Sequence, residues 1–126
     1  EKFMNTRQKV IVRLQADLSD RFQVTDNTGL DKKVIAGQIP DVILFKKEPP
    51  MNSEVLFVLK VENGGELVDS ISQWRGLGSL PSSFYIVVPK NKLDEAKKLA
   101  SATEVKARFA WYEINSEGDV TQIHYE

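Results

Sequence analysis

The stretch from Gln38 to Asn63, QIPDVILFKKEPPMNSEVLFVLKVEN, decides the fold. It holds two apolar runs, Val42 to Phe45 and Val55 to Leu59, joined by a polar loop. Each run carries its charge at the end away from that loop, Asp41 in the first and Lys60 and Glu62 in the second. Folding the runs together as antiparallel neighbours gathers these charges into a small ionic site at one end of an otherwise dry sheet. A turn centred near Pro50 and Met51 sets residues whose numbers sum to about 101 opposite one another, which faces Asp41 with Lys60. Side chains alternate along a strand, so Asp41, Ile43 and Phe45 share a face with Leu56, Val58, Lys60 and Glu62. Val42 and Leu44 share the other with Phe57, Leu59 and Val61. Both faces are apolar, and a sheet of that kind needs helices above and below it.

The flanking sequence supplies those helices. From Met4 to about Phe22, Val10, Leu14, Leu18 and Phe22 recur at helical spacing between charged residues, the pattern of an amphipathic helix laid on a core. Asp17 flanks the stripe and is the acid that reaches inward, whereas Asp20 faces water. Residues 25–32 are turn formers, and Lys33 to Ala36 reads as a short strand before Gly37. After Asn63, Gly64 and Gly65, the residues Leu67, Ile71, Trp74 and Leu77 mark a second helix that Gly78, Ser79 and Pro81 end. Phe84 to Val88 is a short strand reached by a helical crossover, hence parallel to the run ending at Glu62. Asn91 to Ala102 is a third helix, with Asn91 as N-cap, Asp94 three residues on, and Leu93, Ala96 and Ala100 facing inward. Val105 to Ile114 and Asp119 to Tyr125 alternate around Asn115-Ser116-Glu117-Gly118 as a terminal hairpin. The fold class is α/β or mixed α+β, and 126 residues make one ordinary domain over 1–126.

Composition narrows the function classes. With 17 basic and 18 acidic residues the net charge is -1, so bulk charge points to no particular partner, and a nucleic-acid surface would need a local basic patch. The chain has no cysteine, which removes disulfides, thiolate metal sites and cysteine nucleophiles and agrees with a cytoplasmic setting. No apolar run approaches membrane-spanning length. No secretory signal is recognisable, and a chain that starts at Glu1 reads as a trimmed or partial one.

An amphipathic helix, a strand opening on Pro40-Asp41, a turn, a strand ending in alternating charges, then a helix and a further strand resembles the PD-(D/E)XK nuclease superfamily, over residues 4 to about 102. The resemblance implies a restriction-endonuclease-like mixed sheet flanked by helices and metal-dependent phosphodiester hydrolysis in a nucleic-acid-processing or defence system. It implies magnesium as cofactor, nucleic acid as partner, and a homodimer or a larger parent chain. The matching positions are Asp41, Lys60 and Glu62, with Asp41 and Glu62 as metal carboxylates and Asp17 as an outer or second-metal carboxylate. Lys60 would orient the attacking water and screen developing charge. Gln73, on the following helix, matches a position that is often polar in the family, and Gln38 lies just before the motif strand; each also reads as an ordinary polar residue.

One departure stands out. Where the family has acid-x-lysine this chain has Lys60-Val61-Glu62, the two charges exchanged. Unit charges about 4 Å apart interact by about 4 kcal/mol at an effective dielectric of about 20, so replacing a carboxylate by an ammonium beside a divalent ion costs on the order of 10 kcal/mol. Lys60 therefore does not stand in for the missing acid. Either Glu62 turns back to take the metal across the ~7 Å that separates residues two apart on a strand, or the chain is an inactive copy serving as a nucleic-acid-binding or protein-interaction module. In the second case Asp41 and Lys60 form a cross-strand ion pair.

Other signals have plain structural readings. His124, the single histidine, sits among polar residues at the end of the chain and is a surface residue around which no triad assembles. Gly76-Leu77-Gly78 is a helix stop, and no phosphate-binding loop is present. Lys90, Lys92, Lys97 and Lys98 have Asp94 and Glu95 among them and read as a solvated helix face. Trp74 belongs to a core stripe.

Overall fold

A computed structural model describes residues 5–48 and 54–126. The elements are helix α1 (Thr6–Leu18), strands β1 (Phe22–Asp26), β2 (Val42–Lys46) and β3 (Val55–Val61), helix α2 (Ile71–Gly78), strand β4 (Ser83–Pro89), helix α3 (Leu93–Ala102), and strands β5 (Arg108–Ile114) and β6 (Val120–Tyr125). Single 3₁₀ turns at Leu67–Ser70 and Lys90–Lys92 lead into α2 and α3.

The strands form one mixed sheet in the order β1-β2-β3-β4-β5-β6. The pairs β3-β4 and β4-β5 are parallel, as their helical crossovers require, and the other three are antiparallel. The expected register holds: Val42 pairs with Leu59, Ile43 with Val58 and Leu44 with Phe57, before a bulge at Leu44/Phe45 shifts it by one. The turn expected at Pro50 and Met51 lies outside the described residues.

The two faces of the sheet carry two cores. On one, Val10, Ile11, Leu14 and Leu18 of α1 pack on Val42, Leu44, Leu59, Val61, Val87 and Tyr112. Helix α1 touches both edge strands, β1 and β6, so the sheet curls around it. On the other, Trp74 and Leu77 of α2 and Ala96 and Ala100 of α3 pack on Val58, Ile86 and Val88. The alternation in β3 drives this division, because Val58 faces one core while Leu59 and Val61 face the other.

Several boundaries differ from the sequence reading. Helix α1 stops at Leu18, and Phe22 begins β1 instead of closing the helix. Phe22 and Val24 still face the α1 core, because the period-2 pattern of a short strand places them there as well as a helical turn would. The Lys33 to Ala36 segment is no strand; Ile35 makes a single bridge to Gln38 across Ala36 and Gly37, both at positive φ (49° and 84°), the geometry of a two-residue hairpin turn. Asn27, not a ladder, holds this loop. Its Nδ2 donates to the carbonyls of Lys33 (3.0 Å) and Pro40 (2.9 Å), and its Oδ1 accepts from the Lys33 N–H (2.7 Å). Asn91 does not cap α3, which starts at Leu93 after the 3₁₀ turn with no side-chain cap. A reciprocal cap appears instead on α1, where Asn5 Oδ1 accepts from the Gln8 N–H (2.8 Å) and Gln8 Oε1 from the Asn5 N–H (3.2 Å).

Candidate functional site

Asp41 directly precedes β2 and continues its pairing, donating its N–H to the Leu59 carbonyl at 2.9 Å. This anchors its carboxylate at the end of β3. Oδ2 accepts the Val61 N–H at 2.9 Å and lies 3.4 Å from Lys60 Nζ, while Oδ1 lies 3.5 Å from Arg7 Nη1 at the start of α1. The Asp41 and Lys60 side chains are 11% and 10% exposed, so two cations and one backbone donor surround one buried carboxylate. A buried carboxylate gains its stability from such partners, and removing one leaves a costly unpaired charge.

Glu62 lies just past β3 and its side chain turns elsewhere. Its backbone is fixed by an N–H bond to the Val87 carbonyl (2.8 Å) and by the Tyr112 hydroxyl, which donates to the Glu62 carbonyl at 2.7 Å. Ser70 Oγ donates to Oε1 at 2.9 Å and Trp74 Nε1 donates to Oε2 at 3.0 Å. Glu62 is 7% and Trp74 0% exposed. Burial, and then the negative charge of Glu62, push the Tyr112 hydroxyl above its ordinary pKa. The sequence reading places Trp74 in a core stripe and gives Ser70 no role. Their four-residue spacing, one helical turn, is the signal that pairs them, and only the fold shows that the pair closes on Glu62.

The structure therefore brings Asp41 and Lys60 together, adds Arg7, and gives Glu62 a separate set of partners. Asp17 is not among them. It sits ten residues beyond Arg7, about 15 Å further along α1, where it pairs with Arg13 (3.4 Å) and accepts from the Tyr125 hydroxyl (3.3 Å). Gln38 packs its amide over Gly76 of α2, where an added Cβ would run into it, and Gln73 is exposed on that helix. His124 is exposed and stacks on Trp111 with centroids 4.0 Å apart. Three of the four lysines near α3 are paired with acids: Lys90 with Glu113 (3.6 Å), Lys92 with Glu95 (3.9 Å) and Lys97 with Glu126 (2.7 Å).

Magnesium takes near-octahedral oxygen ligands, and this donor set does not fit it. The Asp41 carboxylate already lies between an ammonium and a guanidinium, which repel a second cation at the same oxygens. Turning Glu62 toward Asp41 would give up two hydrogen bonds to a buried charged group, each worth about 1.5–3 kcal/mol. Among the described residues no cluster of three histidine, aspartate or glutamate side chains is placed to hold a metal, and no helix is long and apolar enough to cross a membrane.

No protein-family model, curated protein or solved structure matches this chain.

Proposed function

We propose that this chain is a non-hydrolytic relative of the PD-(D/E)XK nucleases that works by binding, through contact with another protein. One observation carries the reading: the two carboxylates that would share a metal each have their own, different partners. Asp41 is held by Arg7, Lys60 and the Val61 N–H, and Glu62 by Ser70 and Trp74. Both sets convert what would be a reactive site into cross-links, the first tying α1 to the β2-β3 pair and the second tying β3 to α2.

Two features favour a protein partner over nucleic acid. The lysines that would meet phosphates are largely paired with carboxylates, which lowers the counterion release that drives nucleic-acid affinity. The loop that Asn27 braces also presents Leu30, Val34 and Ile39 to solvent, at 103%, 60% and 46% exposure, and exposed apolar residues on a braced loop suit a protein interface.

The test combines metal titration with a charge replacement. Wild-type protein should show no change in Tm with millimolar magnesium or manganese and no cleavage of single- or double-stranded DNA or RNA. Lys60→Glu, which sets a second carboxylate against Asp41, should lower Tm in metal-free buffer and recover part of the loss when magnesium is added. Metal-dependent cleavage by the wild type that Asp41→Ala abolishes would overturn the proposal.

A further inference from the structure

Helix α1 runs out before the sheet beneath it does. Its 13 residues cover about 20 Å, and past Leu18 the concave face of the sheet is left open as a cleft of about 210 Å³. Leu44, Phe57, Leu59 and Tyr85 form its floor on β2, β3 and β4, and Leu18 and Phe22 wall it at the turn out of the helix. The aromatic rings are set edge to face: Phe22 meets Phe57 at 5.5 Å and 83°, and Phe57 meets Tyr85 at 5.9 Å and 56°. Rings in this arrangement offer both faces and edges to a further ring.

The rim is polar. The Tyr85 hydroxyl donates to the Glu126 carbonyl (3.2 Å) and the Tyr125 hydroxyl to Asp17 (3.3 Å). Arg21 lines the cleft and also the neighbouring surface hollow, which Asp20, Lys46, Lys47 and Glu48 border with it. Its guanidinium lies 5.7 Å from the Phe22 ring centroid and joins no ion pair among the described residues. The acid that reaches the cleft wall, Asp17, is already engaged by Arg13 and Tyr125. Lys46 pairs loosely with Glu48 at 4.0 Å, and Lys47 Nζ donates to the Ser19 carbonyl at 2.6 Å. An open apolar slot thus carries one uncommitted guanidinium at its mouth.

We propose that this cleft binds a small carboxylate with a single aromatic ring, the ring seated on Phe57 and Tyr85 and the carboxylate paired with Arg21. Size selects the ring: an apolar cavity of about 150 Å³ accepts benzene, and the cleft exceeds that by room for a short arm. Charge selects the head, because the planar guanidinium matches a carboxylate with two parallel hydrogen bonds. The site is separate from the Asp41 and Glu62 centres, none of whose residues line it, so it stands or falls independently of the binding role proposed above.

The probe is phenylacetate, titrated into the full chain and followed by calorimetry and by the methyl NMR signals of Leu44 and Leu59. Saturable binding that shifts both methyl sets is expected. Phenylacetamide, which keeps the ring and loses the charge, and acetate, which keeps the charge and loses the ring, should each bind at least about tenfold more weakly. Arg21→Gln, at an exposed position, should fold normally, weaken phenylacetate about tenfold and leave phenylacetamide unchanged. Absence of binding at about 10 mM phenylacetate, equal affinity for the amide, or indifference to Arg21→Gln would overturn the proposal. Self-association that phenylacetate does not displace would also overturn it and assign the cleft to a second copy of the chain.

Discussion

Replacing Trp74 by phenylalanine takes one hydrogen-bond donor and part of one ring out of the interior, and its cost can be worked out from the structure. The indole N–H donates to Glu62 Oε2 at 3.0 Å in a place where Trp74 is 0% and Glu62 7% exposed. Phenylalanine leaves that oxygen without its donor. A hydrogen bond to a charged group contributes about 1.5–3 kcal/mol, and the smaller ring gives up roughly another 1 kcal/mol of apolar burial. The sum is about 2.5–4 kcal/mol. Unfolding entropy of about 2.1 cal/mol/K per residue over 126 residues makes 1 kcal/mol equivalent to about 4 °C, so Tm should fall by about 10–15 °C. Calorimetry and urea unfolding measure both quantities. A cycle with Glu62→Gln separates the hydrogen bond from the packing loss, and the two changes should couple by about 1 kcal/mol or more. If Trp74→Phe stays within about 0.5 kcal/mol of wild type, or the cycle shows no coupling, then Glu62 is not held by Trp74 and its carboxylate is free to turn.

Other perturbations probe the remaining contacts. Asp41→Asn takes the counter-charge from Lys60 and Arg7 and should cost about 3–5 kcal/mol in urea unfolding; a loss below about 1 kcal/mol would place the pair in the class of exposed, weak ion pairs. Burial and the Glu62 charge raise the Tyr112 pKa in the folded state above its ordinary 10.0. The unfolded chain therefore releases this proton first as pH rises. The stabilisation from the neutral phenol is complete below pH 10 and declines above it, at about 1.4 kcal/mol per pH unit until the folded-state pKa is reached. Chemical denaturation between pH 8 and about 11.5 should show this fall, and Tyr112→Phe should make it shallower, at the expense of the bond to the Glu62 carbonyl, while leaving the share of Tyr125, whose pKa burial also raises.

How far the sequence reaches depends on the range of the interaction. The β2-β3 register was legible because alternation and loop length are local properties, and both Asp41 facing Lys60 and the assignment of Val58 and Leu59 to opposite cores follow from them. The parallel placement of β4 was legible too, since a helical crossover of that length permits little else. Strand β1 was not, because Phe22 and Val24 satisfy the end of a helical stripe as well as a two-residue alternation. Helix start signals misled at Asn91, where the chain turns 3₁₀ before the α-helix begins.

The charged end of the central hairpin shows the same division. The sequence by itself determined that Asp41, Lys60 and Glu62 lie at one end of two paired strands, in the order lysine, valine, glutamate along the second. It left open which way Glu62 turns. That depended on partners outside the strand pair: Ser70 and Trp74, brought back over the end of β3 by the loop after Asn63, and Arg7, brought to Asp41 because α1 lies in the curl of the sheet. Hydrogen bonding to a buried carboxylate is short-ranged and directional, so pattern and spacing do not reveal which donors arrive. The tertiary structure alone decided that the two carboxylates part company.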